Sequence, residues 1–121
     1  MSLFKQAQFD AFAGSLPGVT FVDQWGSRVA KVGGKVFTLL HSPGNDDANI
    51  VFKVSEETFE ILTAMEGIAQ APYFAKRQWV AVSARADLPE ADLQTYIQRS
   101  YRLIASGLTK KLRAELGIDI D

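Results

Sequence analysis

The segment Tyr73-Phe74-Ala75-Lys76-Arg77-Gln78-Trp79 sets two adjacent cations between aromatic rings, directly before the apolar run Trp79–Val82. That combination suits planar and anionic groups together, because Lys and Arg contact phosphate while exposed rings stack on bases. The same residues also suit an ordinary strand start with a basic edge. Further cations fall at Lys31 and Lys35, either side of Gly33-Gly34, and at Arg99, Arg102, Lys110, Lys111 and Arg113. Tyr73, Trp79 and Tyr101 are the aromatic candidates beside them.

Other chemistries find less support. The single histidine, His41, has no ligand-spaced Cys or Glu, and no Gly-x-Ser-x-Gly element offers it a nucleophile. Gly33-Gly34-Lys35 is followed by Val36 and Phe37, a strand pattern, whereas a phosphate loop leads into a helix. Asp46-Asp47 and Glu56-Glu57-Glu60 lack the alternating ligands of a calcium loop. They suit a solvated loop and a favourable helix N-terminus. No catalytic residue, metal site or cofactor is expected.

Composition frames this. A chain of 121 residues, 47% apolar and 22% charged, is expected to fold as one domain over residues 1–121. With no cysteine there are no disulfides and no thiolate chemistry. No apolar run is long enough to span a membrane, and no signal-peptide pattern opens the chain. A cytoplasmic protein is the expectation. The net charge of −1 hides an uneven distribution: −5 over residues 44–66, +3 over 67–86 and +5 over 93–114. The total argues against non-specific nucleic-acid binding, while the basic second half keeps a positive face open.

The elements that must position these groups follow from periodicity. Phe9, Phe12, Ala13 and Leu16 predict a helix over 3–14, with Ser2 as its cap and Gly14 and Pro17-Gly18 as its end. Val19, Phe21 and Trp25 alternate as a strand, and Gly26-Ser27 turns the chain. Arg28–Val32 and Lys35–His41 flank Gly33-Gly34, which suits a two-residue hairpin whose central residues both need positive φ. Asn49–Val54 is a fourth strand, and Ser55 caps a helix running to Glu66. Residues 68–77 are a connector, and Trp79–Ser83 is a fifth strand. In the longest helix, after Pro89, Leu93, Ile97, Ser100, Tyr101, Ile104 and Leu108 share a face while Arg99 and Arg102 point outward. The order α-β-β-β-β-α-β-α, with short turns between strands, predicts a two-layer α+β fold: an antiparallel sheet with helices packed on one face.

Several fragments together resemble the MmcQ/YjbR family. They are Leu16-Pro17-Gly18-Val19-Thr20, Lys31-Val32-Gly33-Gly34-Lys35-Val36-Phe37, Val51-Phe52-Lys53-Val54, Ala71-Pro72-Tyr73 with Lys76 and Trp79, Ser100-Tyr101-Arg102-Leu103, and Leu108-Thr109-Lys110-Lys111. The resemblance implies a frataxin/CyaY-like fold and DNA binding through a double-wing arrangement of hairpins. Many relatives carry His where this chain has Gln78. The acidic first helix of iron-binding frataxins is reduced here to Asp10, so iron handling is not expected. The leading expectation is a small binding protein that contacts DNA through Lys31, Lys35, Lys76, Arg77, Arg99 and Arg102. The alternative is a non-enzymatic module for an acidic protein or a small anion, its patch lined by Tyr73, Trp79 and Tyr101.

Overall fold

The structure, a computed structural model, describes residues 2–119. Helix α1 (Gln6–Ala13) leads into strands β1 (Val19–Gln24), β2 (Ser27–Val32), β3 (Lys35–His41) and β4 (Asn49–Lys53). Then come helix α2 (Glu56–Thr63), strands β5 (Ile68–Gln70) and β6 (Trp79–Ser83), and helices α3 (Glu90–Ala105) and α4 (Lys110–Leu116). The strands form one antiparallel sheet in the order β1-β2-β3-β4-β6-β5. This is the two-layer α+β architecture expected from the sequence, with strand β5 added and with Lys110–Leu116, a stretch expected to form a last helical turn or two, folded as a helix of its own. Strand β5 lies within the expected connector, and its three residues are too few to show alternation. Helix α4 is separate from α3 because the chain turns at Ser106 and Gly107 before Thr109 caps a new helix.

Alternation along the strands sorts the core from the open face. Ala30, Leu40, Ile50, Phe52, Val80, Val82 and Ile68 point to the helices and are buried with Phe9, Leu62, Leu93 and Ile97. Helix α1 is fixed by Arg28, whose guanidinium meets both carboxylate oxygens of Asp10 at 3.0 and 3.2 Å and lies over Phe21. Ser2 does not cap α1 as expected; Lys5 holds the cap position, and Ser2 Oγ accepts from the Phe4 N–H.

Two-residue turns close the first two hairpins. Gly33-Gly34 joins Val32 to its partner Lys35 with both φ positive, as expected. A Cβ on Gly33 would lie 2.6 Å from Leu108 Cδ1, so this hairpin end packs closely against the chain beyond α3. The other turn is Trp25-Gly26, between Gln24 and Ser27. The expected placing of Trp25 in the alternation of β1 is therefore corrected, as is the expected turn at Gly26-Ser27. Pairing of Gln24 with Ser27 forces Trp25 into the turn at φ 50, where its ring faces water.

A bulge lies at the centre of the sheet. Ala30 pairs with Thr38 but Lys31 pairs with Val36, leaving Phe37 as the extra residue on β3. Pairing of β3 with β4 ends at Thr38 and Phe52. Beyond it, the fully buried Ser100 of α3 bridges the strands: its Oγ accepts from the Lys53 N–H at 2.8 Å and donates to the Phe37 carbonyl. The next residue, Tyr101, packs edge-on against Phe37 and donates its hydroxyl to the Pro17 carbonyl.

Two outcomes follow. Ser100→Ala leaves the part-buried Lys53 N–H and the buried Phe37 C=O without their partner, so it should cost about 1–3 kcal/mol in denaturant unfolding. Burial holds the Tyr101 phenol above its ordinary value of 10.0. Its contribution to stability is therefore complete below about pH 10 and is lost as pH rises through the higher folded value. Unfolding measured on both sides of pH 10 should show that loss in the native chain and a smaller one in Tyr101→Phe.

Candidate functional site

The sheet face turned away from the helices carries three rows set by the register. The middle row is apolar: Val22, Val29, Leu39, Val51, Ala81 and Ala69 are successive cross-strand partners. On one side runs a polar row, Gln24, Ser27, His41, Asn49 and Ser83. On the other side Thr20, Lys31 and Val36 pair on one half, and Lys53 pairs with Trp79 on the other, with the bulge between them.

The chain between β5 and β6 folds back over this face. Phe74 lies on Trp79, ring centroids 4.6 Å apart, and Ala71, Val51 and Trp79 form a small second core beneath it. The Ala71 N–H donates to the Trp79 carbonyl, and the Arg77 N–H to Gln70 Oε1 at 3.1 Å. The Arg77 guanidinium reaches Glu56 at 3.2 Å, contacts Glu60 and lies over the Phe59 ring. Between this overhang and the Trp25-Gly26 turn is a groove of about 730 Å³. Leu39, Val51 and Val29 form its floor, Trp25 and Tyr73 line it, and Ser27, His41 and Asn49 supply its polar side.

Strain marks the same place. Among the described residues the non-glycine residues at positive φ are Trp25, Ser42, Tyr73 and Arg77. Two of them are groove aromatics, one follows His41, and one ends the overhang. A bulky residue held there costs about 1–3 kcal/mol and persists only where the surroundings dictate it. Yet Trp25 is 88% exposed and Tyr73 fully so. Neither ring repays its backbone cost by burial. The Ser27 hydroxyl and His41 Nδ1 lie 2.9 Å apart. Among the described residues no carboxylate bonds the His41 ring, and no cluster of His, Asp and Glu is arranged to hold a metal ion.

The nine residues singled out in the sequence do not meet at one place. Tyr73 lines the groove, but Trp79 is buried beneath Phe74 and Tyr101 is buried on the helix side. Lys31 and Lys35 flank the Gly33-Gly34 turn, Lys76 is exposed on the overhang, and Arg77 is engaged by two glutamates. Arg99 and Arg102 share a cleft of about 370 Å³ that Lys53 also lines, and on another side they line a cavity of about 510 Å³ with Tyr101 and Asp119. Trp25, His41 with Ser27, and Lys53 were not among the expected site residues. Trp25 had a readable signal, since the residue before a glycine between two β-rich runs sits in the turn rather than in the sheet.

The fold is a half-covered antiparallel sheet with an aromatic groove on its open face. The family model described as YjbR matches residues 14–103, which include every groove residue named above, and the chain belongs to that family. The fold is similar to that of protein DR2400 of Deinococcus radiodurans, described as a DUF419 domain, at 25% identity and a TM-score of 0.83. That match covers 95% of this chain and 89% of the other. A Pseudomonas syringae protein solved by structural genomics is similar in fold at 21% identity and a TM-score of 0.68, covering 82% and 97%. No curated protein matches the chain.

Because Asn is the preferred partner of Gly in a type I′ turn, Trp25→Asn should leave the hairpin at least as stable as the native chain. A gain of about 0.5–1 kcal/mol in thermal or denaturant unfolding is expected.

Proposed function

We propose that this YjbR-family protein is a non-catalytic binding protein that holds its ligand in the groove on the open sheet face. The observation that carries this is the pair Trp25 and Tyr73, kept in water at unfavourable backbone angles beside an apolar floor. A ligand with a flat, weakly polar body and one hydrogen-bonding edge suits the arrangement. Its body would lie on Leu39 and Val51 against the two rings, and its edge would meet Ser27, His41 and Asn49. Heteroaromatic rings of the nucleobase type have this character, and stacking on a protein aromatic is worth about 1–3 kcal/mol per ring. A cytoplasmic location belongs to the same proposal, since a cysteine-free chain suits a reducing compartment. Among the described residues no helix is long and apolar enough to cross a membrane.

A second reading, binding of duplex DNA, draws support from a different observation. Lys31, Lys35, Lys76, Arg99 and Arg102 make no ion pair among the described residues, whereas Arg77 does. The hairpin cations would then contact phosphates, with Arg77 the weakest of the six candidates.

One titration series separates the two. Trp25 is the exposed tryptophan and Trp79 the buried one, so a purine nucleoside entering the groove should quench the Trp25 emission. Trp25→Ala or Tyr73→Ala should weaken nucleoside binding by about fivefold to 150-fold, while Lys31→Gln with Lys35→Gln should leave it unchanged. Fluorescence polarisation on a labelled duplex at low salt should reverse this pattern under the DNA reading. Binding would then weaken steeply with salt and with loss of the lysines. A nucleoside that neither quenches nor competes would sink the groove reading.

A further inference from the structure

The cleft between β4, the start of α2 and α3 is independent of the groove and of the reading built on it. Its lining includes Lys53, Arg99 and Arg102, together with the hydroxyl residues Ser55, Thr58 and Ser106. No acidic residue lines it. Among the described residues none of the three cations has an ion-pair partner, for the ion pairs involve only Arg28 and Arg77. The nearest acids in sequence are accounted for: Glu56 is bonded to Arg77, and Glu57 is exposed and does not line the cleft.

The cations are set in place by the backbone rather than by chance. Ser100 bonds the Lys53 N–H, and this fixes α3 across the end of β4. Arg99 precedes Ser100, and Arg102 lies three residues along from Arg99, on the same side of the helix. Tyr96 stacks on Phe52 with rings nearly parallel at 7°, and Arg99 lies over Tyr96, 5.5 Å from its centroid. Both contacts restrict where that guanidinium goes. Three like charges held around one concavity repel one another, and an anion between them turns each repulsion into an attraction.

We infer that this cleft binds the phosphate group of a small phosphomonoester. The occupant follows from the chemistry. A dianion matches three cations better than a single negative charge does, and two guanidinium groups give forked donors to its oxygens. The hydroxyls of Thr58 and Ser106 stand within the same lining, and Tyr96 and Leu103 supply an apolar wall for the organic part. A volume of about 370 Å³ is the size of a small-molecule site. A nucleic-acid backbone carries the related phosphodiester, with one charge on each phosphate, and the test separates the two.

Phenyl phosphate is the probe, followed through its phosphorus resonance and through perturbed amide signals of the full chain at constant ionic strength. The expected result is shifts centred on residues 53–58 and 96–106. Arg99→Gln, Arg102→Gln and Lys53→Gln should each weaken binding about tenfold or more, and Lys35→Gln should not. Methyl phenyl phosphate, a diester with one charge, should bind at least about tenfold more weakly. Equal binding of monoester and diester, binding unaffected by the three substitutions, or shifts elsewhere on the chain would each overturn the proposal. Intact amide spectra of the variants would show that a loss of binding is not a loss of fold. Because Trp25→Ala leaves the cleft untouched, it should empty the groove without altering phenyl phosphate binding.

Discussion

Everything on both faces of the sheet depends on how one hydroxyl resolves a fault in the strand ladder. The extra residue at Phe37 ends the pairing of β3 with β4 one step early, which leaves the Phe37 carbonyl and the Lys53 N–H facing a gap. Buried backbone groups of this kind cost stability unless they are bonded. Ser100 is short, can donate and accept at once, and sits fully buried on the inner face of α3. An alanine there would leave both groups unpaired, and a larger polar residue would push the helix off the sheet. The bond therefore fixes where α3 lies against the sheet and which way its neighbouring residues point. Tyr101 goes inward to the Pro17 carbonyl, and Arg99 goes outward to the cleft.

The bulge also shapes the open face. Without it, the third row would run unbroken from Lys31 to Trp79. With it, that row divides into a lysine end beside the first hairpins and a tryptophan end under the overhang. The groove lies over the intact middle row, where continuous pairing lays Val29, Leu39 and Val51 side by side. The helices pack mainly on the other face, and only the end of α3 reaches this one, where Ile104 packs against the cluster of Val51, Ala71 and Trp79. Eight residues of connector cover part of it and leave the remainder to solvent.

Much of the fold was legible because it depends on local rules. Two glycines between β-rich runs meant a hairpin, and Ser55 before two glutamates meant a capped helix; both stand in the structure. The inward face of α3, Ser100 and Tyr101 included, followed from helical spacing. What was not legible depends on pairing partners far along the chain. Strand β5 exists because β6 offers it an edge, and nothing in Ile68-Ala69-Gln70 alone announces that. Trp25 is a different case: the glycine after it was a local signal for a turn, and the pairing of Gln24 with Ser27 puts it there. The candidate site was legible as a set of residue types but not as a place. Lys76 and Arg77 are neighbours in sequence, yet only Arg77 is drawn to the acidic start of α2.

That start of α2 joins the two candidate sites. Ser55 and Thr58 line the cleft, while Glu56 and Glu60, on the same two turns, hold Arg77 and with it the end of the overhang. Lys53 pairs across the sheet with Trp79, and Trp79 supports Phe74, which lines the groove. The acids thus serve a purpose beyond favouring a helix N-terminus. They hold Arg77 on α2, and the charged residues that line the cleft are all cations. Two acids of the acidic middle, Glu56 and Glu60, pair with one arginine of the basic half. A net charge of −1 is therefore compatible with a concavity in which the lining charges are all positive.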